Sequence, residues 1–222
     1  MNNLGQNTWT LVAAGDFFQD KFLEFMEVPK DAKHKLGKIV AVDEGLKYLD
    51  NCGVKPDFCI GDFDSLGYIP EIGEVKTYPS DKDLSDTELA LNLAIKSGAD
   101  IIKVFGAMGG PRPEHSIANL HIFSRYPGMV TIYDSRATYI FADKTHPVKI
   151  LEQNAEVTYV SLFPFAGPCE GVCATGLKYE LDNDCLKPGS SLGLSNEYLG
   201  AEAKISVKKG TLLIVISNKA ER

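Results

Sequence analysis

The chain has 222 residues, 44% of them hydrophobic and 24% charged, which places it among ordinary globular proteins and far from disordered ones. A net charge of −7 without any dense Lys/Arg run argues against a nucleic-acid partner, and no stretch approaches the roughly 20 apolar residues of a membrane span. The opening MNNLGQNTW has neither a basic leader nor an apolar run of signal-peptide length, and five scattered cysteines in a chain of this size suit a reducing cytoplasm.

Over the first 140 or so residues, short apolar runs alternate with helical patterns, the mark of a mostly parallel sheet covered by helices. Strands are expected over 8–14, ending at Gly15 and Asp16, over 38–42, ending at Asp43, and over 58–60, ending at Gly61 and Asp62. A short helix over 46–52, closed by Gly53, separates the second strand from the third. A weaker strand over 74–78 precedes a helix with Leu84, Leu89, Leu91, Leu93, Ala94 and Ile95 as its expected apolar stripe. Ser85 is its expected N-cap, Glu88 the capping-box partner and Gly98 the stop. Next come a buried strand over 101–105, a helix over 115–126, and strands over 130–133 and 138–142. Trp9, near the start of the first strand, reads as a core or interface residue rather than a stacking platform.

After Thr145 no amphipathic helix appears, and β-branched or alternating runs recur between turn signals. Strands are expected over 148–151, 156–163, 170–175, 177–181, 201–207 and 211–216, the last two joined as a hairpin through Lys209-Gly210. The expected architecture is thus an α/β N-terminal domain with a mostly parallel sheet over 1–144, followed by a small all-β sandwich over 145–222. Cys169 and Cys173 have no second Cys or His pair at ligand spacing, which argues for thiols rather than zinc ligands.

Ligands of open α/β sheets bind beyond the carboxyl ends of the strands, and here those positions are acidic: Asp16, Asp43, Asp62 and Asp64. In Gly61-Asp62-Phe63-Asp64-Ser65, two carboxylates one residue apart can aim at one magnesium ion; a bare Asp-x-Asp equally describes a solvated turn with an Asx hydrogen bond. A further cluster, Asp81-Lys82-Asp83-Leu84-Ser85-Asp86, opens a helix, where capping and metal binding can coexist. The loop Gly106-Ala107-Met108-Gly109-Gly110-Pro111-Arg112-Pro113-Glu114-His115 joins a strand to a helix. Its glycines would let backbone amides approach an anion, and Arg112 offers a guanidinium fork to phosphate. It lacks the Gly-Lys-Ser/Thr of a Walker loop.

With these segments in hand, the chain resembles the thiamine pyrophosphokinase family. The resemblance rests on Ala41-Val42-Asp43-Glu44-Gly45, Pro56-Asp57, Gly61 to Ser65, Lys82-Asp83 with Ser85-Asp86, Gly106-Ala107 with Gly109-Gly110, and His115 to Asn119. Beyond Thr145 it continues through Ser161-Leu162-Phe163-Pro164, Gly176-Leu177-Lys178-Tyr179 and Gly193-Leu194-Ser195-Asn196-Glu197. It implies a cytoplasmic homodimeric transferase that moves pyrophosphate from ATP to the thiamine hydroxyl, giving thiamine diphosphate and AMP. By resemblance, Asp62, Asp64 and Asp86 hold Mg2+ and form the catalytic cluster. Asp43, Arg112, His115 and Asn119 line the nucleotide side. Lys82, Asp83, Ser195 and Asn196 contact substrate, with the thiamine pocket shared between chains and Tyr198 a candidate for its wall. A thiamine- or nucleotide-binding module without turnover and an Asp-x-Asp glycosyltransferase are the rival readings; the C-terminal segments argue against the transferase. Three departures stand out: Glu44-Gly45 replaces the family's glycine pair, Arg112-Pro113-Glu114-His115 replaces Arg-x-Asp-His, and Pro111 is an extra residue.

Overall fold

The computed structural model describes residues 7–26, 36–79, 81–150, 158–199 and 202–218. The chain divides into two compact units, Met1–Ile122 with Ile132–Ser135, and Phe123–Thr131 with Arg136–Arg222.

In the first unit the strands are β1 (Thr8–Val12), β2 (Lys38–Val42), β3 (Phe58–Gly61), β4 (Glu74–Thr77) and β5 (Ile101–Phe105), and the helices are α1 (Gln19–Met26), α2 (Gly45–Asn51), α3 (Asp86–Lys96) and α4 (Pro113–Phe123). The five strands pair in parallel in the order β4-β3-β2-β1-β5, as the alternating pattern predicts. Every residue of β1 is buried, the state of a central strand covered on both faces. Trp9 is a core residue, stacked on Phe58 with ring centroids 5.3 Å apart. Ser85 caps α3 as expected, its hydroxyl accepting the Glu88 amide at 3.2 Å, and the helix buries Ala90, Leu91 and Ala94.

Helix α1 is not anticipated by the sequence reading. Phe18, Phe22 and Phe25 carry a helical period, but eight residues are too few to hold a helix without tertiary contacts. Docking supplies them: Phe22 is fully buried and meets Phe105 edge-on at 5.0 Å, while Phe25 meets Tyr133 at 4.6 Å.

The strand β6 (Val130–Tyr133) falls at the division between the units. The second unit then contains β7 (Ala137–Ala142), β8 (Val148–Ile150), β9 (Thr158–Thr175), β10 (Leu181–Leu186), β11 (Asn196–Glu197), β12 (Ala203–Ser206) and β13 (Lys209–Asn218). It begins before Thr145 because β7 pairs antiparallel with β13 from Ala142↔Leu212 to Ala137↔Ser217. Residues 151, 156, 157 and 201 of the expected strands lie outside the described residues.

Three strand expectations are corrected. The two strands placed over 156–163 and 170–175 are one continuous β9, bent at Ala166 and Gly167, whose φ values are 61° and 150°. Its first half pairs with β13 and its second with β10 and β12, so one strand serves two sheet segments around a core of Val160, Leu162, Val172, Ile205 and Ile214. The strand expected over 177–181 is reduced to a single bridge, Leu177↔Tyr198, and the pairing strand starts at Leu181. Its centre, Asp182-Asn183-Asp184, is poor in β-formers and tolerated because the ladder bulges there, with Asn183 at φ 60°. The Lys209-Gly210 hairpin does not form: β12 and β13 each pair with β9 instead, and Lys209 stands opposite Glu170.

Candidate active site

Because β1, β2, β3 and β5 run parallel, the loops at their carboxyl ends gather along one edge of the sheet. There they form a cleft of about 520 Å³ within the first unit. Asp43, Asp62, Asp64, Lys82, Asp83, Asp86, Arg112, His115 and Asn119, all singled out from the sequence, line it. Ala13, Ala14 and Thr87, not singled out from the sequence, line it too, as do Gly15 and Glu44. Ser195 and Asn196 belong to the second unit.

The cleft is strongly acidic. Six carboxylates, those of Asp43, Glu44, Asp62, Asp64, Asp83 and Asp86, face Lys82 and Arg112. Asp43 takes a left-handed φ of 48° at the end of β2, and its carboxylate lies against the Cα of Gly61, where a Cβ would come within 1.8 Å of Oδ1. Gly61 is therefore required for Asp43 to sit where it does. Burial, followed by the charges of Asp86 and Asp62, pushes the Asp43 carboxyl up to about 7. Asp43 Oδ1 and Asp86 Oδ1 are both buried without a hydrogen-bond donor in bonding geometry. The two groups adjoin, so a proton held between them, or a cation, satisfies both. Lys82 is the nearest cation, its Nζ 3.1 Å from Asp86 Oδ1 and 3.9 Å from Asp62 Oδ2, while it also donates to the Pro79 carbonyl.

The Asp-x-Asp turn does form an Asx hydrogen bond, the Asp64 amide donating to Asp62 Oδ1 at 3.1 Å, and Phe63 between them is buried at φ 59°. Among the described residues, no three of the His, Cys, Asp and Glu side chains stand close enough to enclose a metal by themselves. The donor set nevertheless fits magnesium, which takes one or two carboxylates and completes its shell with water and phosphate oxygens. The buried Asp43 Oδ1, which has no donor, beside an Asp86 Oδ1 whose neighbour is the Lys82 ammonium, is the observation that supports this fit.

The glycine loop differs from the expected anion cradle. Two of its glycine amides are already engaged: Gly109 N–H donates to Ser116 Oγ and Gly110 N–H to Asp16 Oδ1, each at 2.9 Å. Asn119 is buried and its amide donates to the Ala107 carbonyl at 2.7 Å, so it holds the loop rather than facing the cleft as a free polar group. Arg112 is exposed, and its carbonyl accepts the His115 amide at the start of α4. Of the departures, Glu44 is harmless to the backbone: it has right-handed φ of −61° and its carboxylate pairs with Lys47, while Gly45 packs on the Val12 carbonyl, where a Cβ would come within 2.0 Å. Glu114 lies in the exposed first turn of α4, outside the cleft lining.

In the second unit, Asn196 is buried with its side chain engaged inward. Its Oδ1 accepts the Tyr179 amide and its Nδ2 donates to the Tyr179 carbonyl, clipping 177–179 against β11. Ser195 is exposed at φ 52°, and its amide donates to Ser161 Oγ. Tyr198 is a core residue, 2% exposed, and does not form a pocket wall.

The Asp43 environment sets a pH dependence. Folded Asp43 retains its proton up to about pH 7, where the unfolded chain has released it near pH 4, so stability falls as pH rises between these values. In metal-free buffer, Asp43→Asn should therefore stabilise the chain by about 1–2 kcal/mol at pH 8 and by much less at pH 5, given the water that reaches the cleft. Urea melts at both values check this; an equal change at both would show that Asp43 titrates as an ordinary carboxylate.

Comparison with known proteins agrees with this geometry. The family model described as the thiamin pyrophosphokinase catalytic domain matches residues 30–133, and that described as the thiamin pyrophosphokinase vitamin B1 binding domain matches residues 145–212. The thiamine pyrophosphokinase of Bacillus subtilis is 30% identical over 191 residues, covering 80% of this chain and 86% of that protein. The crystal structure of a Bacillus subtilis thiamine pyrophosphokinase superposes with a TM-score of 0.80 at 25% identity, covering 96% of this chain and all of that one. One from Geobacillus thermodenitrificans gives 0.79 at 26% identity, with 96% and 99% covered. With the catalytic and vitamin-binding models both matched in order, and every carboxylate of the cleft lying within the segment matched by the first, the chain belongs to the thiamine pyrophosphokinase family of enzymes.

Proposed function

We propose that the chain transfers the terminal pyrophosphoryl group of ATP to the primary hydroxyl of thiamine, releasing AMP, and that magnesium is the metal it uses. The observation that carries this reading is the acidic cleft at the sheet edge, where the buried Asp43 and Asp86 carboxyls adjoin and Asp43 Oδ1 has no donor. A polyphosphate approaches such a surface only with its charge neutralised, which favours a metal–nucleotide complex over the free nucleotide.

Of Asp62, Asp64 and Asp86, one or two would ligate the ion directly and the remainder would act through its water, with Asp43 beside them. Once bound, magnesium would neutralise charge on the phosphate oxygens as a Lewis acid. The chain's own contribution is positioning: Arg112 offers a fork to phosphate oxygens, His115 faces the same cleft, and Lys82, tethered between Asp62 and Asp86, can follow the transferred group. Asn119 and Asn196 serve indirectly, the first by fixing the glycine loop and the second by fixing the segment around Tyr179. Ser195 remains as the second unit's contact to thiamine.

A homodimer is the proposed assembly. Leu192, Leu194 and Leu199 are each more than half exposed around Ser195 and Asn196, more apolar surface than a short polar turn requires. Light scattering should return twice the 24.3 kDa chain mass, and a monomer at micromolar concentration would reject the dimer. The proposed location is the cytoplasm, on the ground of five free thiols. No described helix is long and apolar enough to cross a membrane.

The direct test is AMP release from ATP and magnesium with and without thiamine, together with thiamine diphosphate. Stoichiometric products that require thiamine are expected. Asp62→Asn and Asp86→Asn should each lower kcat/KM by about 10²-fold or more while the protein stays folded, and a loss below about fivefold would remove that residue from the metal cluster.

A further inference from the structure

Asp16 follows β1, lies outside the metal cluster, and has no part in the reading above. It is nevertheless the side chain on which the glycine loop closes. The segment after β1 is zipped to the segment after β5 by three backbone hydrogen bonds, Ala13 N–H to Phe105 O at 2.9 Å, Gly15 N–H to Gly106 O at 2.7 Å and Asp16 N–H to Met108 O at 2.8 Å. Tyr48 clamps this segment from α2, stacking on Phe17 at 4.8 Å and donating its hydroxyl to the Gly15 carbonyl at 2.9 Å. The Asp16 carboxylate is thereby fixed where its Oδ1 receives the Gly110 amide, while a Cβ on Gly109 would come within 2.1 Å of its Oδ2.

Gly109 and Gly110 are consecutive left-handed residues, at φ 70° and 78°, and Pro111 follows with no amide to donate. The Gly110 amide is therefore the last backbone donor before Arg112, and Asp16 binds it. On the other side of the same turn, Ser116 Oγ takes the Gly109 amide. Between these two anchors the chain turns out to Arg112 in the cleft wall.

We infer that Asp16 is a positioning residue for the proposed reaction: its carboxylate fixes the Gly109–Arg112 turn so that the Arg112 guanidinium meets the phosphates of ATP. The inference rests on the reading that Arg112 contacts the nucleotide. Loss of the anchor weakens ATP binding more than turnover, because Arg112 still reaches the phosphates in a fraction of loop conformations.

Steady-state AMP release at varied ATP, saturating magnesium and thiamine tests it. Asp16→Ala should raise the KM for ATP by about tenfold with kcat within about threefold. Asp16→Asn, which keeps an oxygen acceptor for the Gly110 amide, should recover most of that loss. Asp16→Ser, too short to reach the amide, gives the same reading should the alanine variant not fold. In an Arg112→Ala background, Asp16→Ala should add less than about twofold, as for two residues acting as one. The inference is overturned if Arg112→Ala raises the KM but Asp16→Ala leaves it within twofold of the parent, if Asp16→Asn is as impaired as Asp16→Ala, or if the two losses multiply. If Arg112→Ala itself leaves the KM unchanged, the assignment of Arg112 and the role of Asp16 fall together.

Discussion

Like charges held together beneath the carboxyl edge of a parallel sheet are the constraint from which the rest of the site follows. Asp43 and Asp86 adjoin, the buried Asp43 Oδ1 has no donor, Asp86 has only the Lys82 ammonium beside it, and Asp62 adds its field to theirs. Such an arrangement costs folding free energy, and Gly61, which leaves room for Asp43, makes it possible rather than comfortable. The fold tolerates it because the surrounding sheet is well supported: β1 is buried throughout, and α2 and α3 pack against its neighbours. On the proposed reading, a cation and a polyphosphate arriving at the end of this strand would find carboxylates already desolvated.

Around this cluster the polar residues divide into those that face the cleft and those that hold the facing ones in place. Asn119, Ser116 and Asp16 are spent on the glycine loop, which leaves Arg112 and His115 as the groups presented by that wall. Asn196 does the same in the second unit by replacing a strand partner for Tyr179, with one acceptor and one donor on one amide. With the Gly109 and Gly110 amides filled by Ser116 and Asp16, the tip of this loop cannot cradle phosphate through them. Recognition then passes to side chains, and a guanidinium needs a fixed backbone to be specific.

The parallel half was readable because each of its signals is local. An apolar run followed by Asp43 or by Gly61-Asp62, and Ser85 with Glu88, fix strand ends and a cap within a few residues, and their order brings the acidic positions to one edge. What escaped is non-local. The Asp16 carboxylate meets Gly110 across 94 residues and Asn196 meets Tyr179 across 17, so nothing in either neighbourhood marks them as anchors. Helix α1 escaped because aromatic docking on Phe105, not its own sequence, holds it. In the second unit, Pro164, Gly167 and Pro168 suggest a break in β9, yet the strand bends through them and keeps pairing. β10 hides behind a run of Asp and Asn that a bulge accommodates.

The central claim is that this acidic edge accepts a polyphosphate only together with a divalent cation. Calorimetric titration of the folded protein with a non-hydrolysable ATP analogue, in magnesium and then in chelator, tests it most directly. The account predicts binding at least about tenfold tighter with magnesium, and loss of that gain in Asp86→Asn. Equal affinity in chelator and in magnesium would contradict it, and would mean that the carboxylates of the cleft do not meet the nucleotide through a metal.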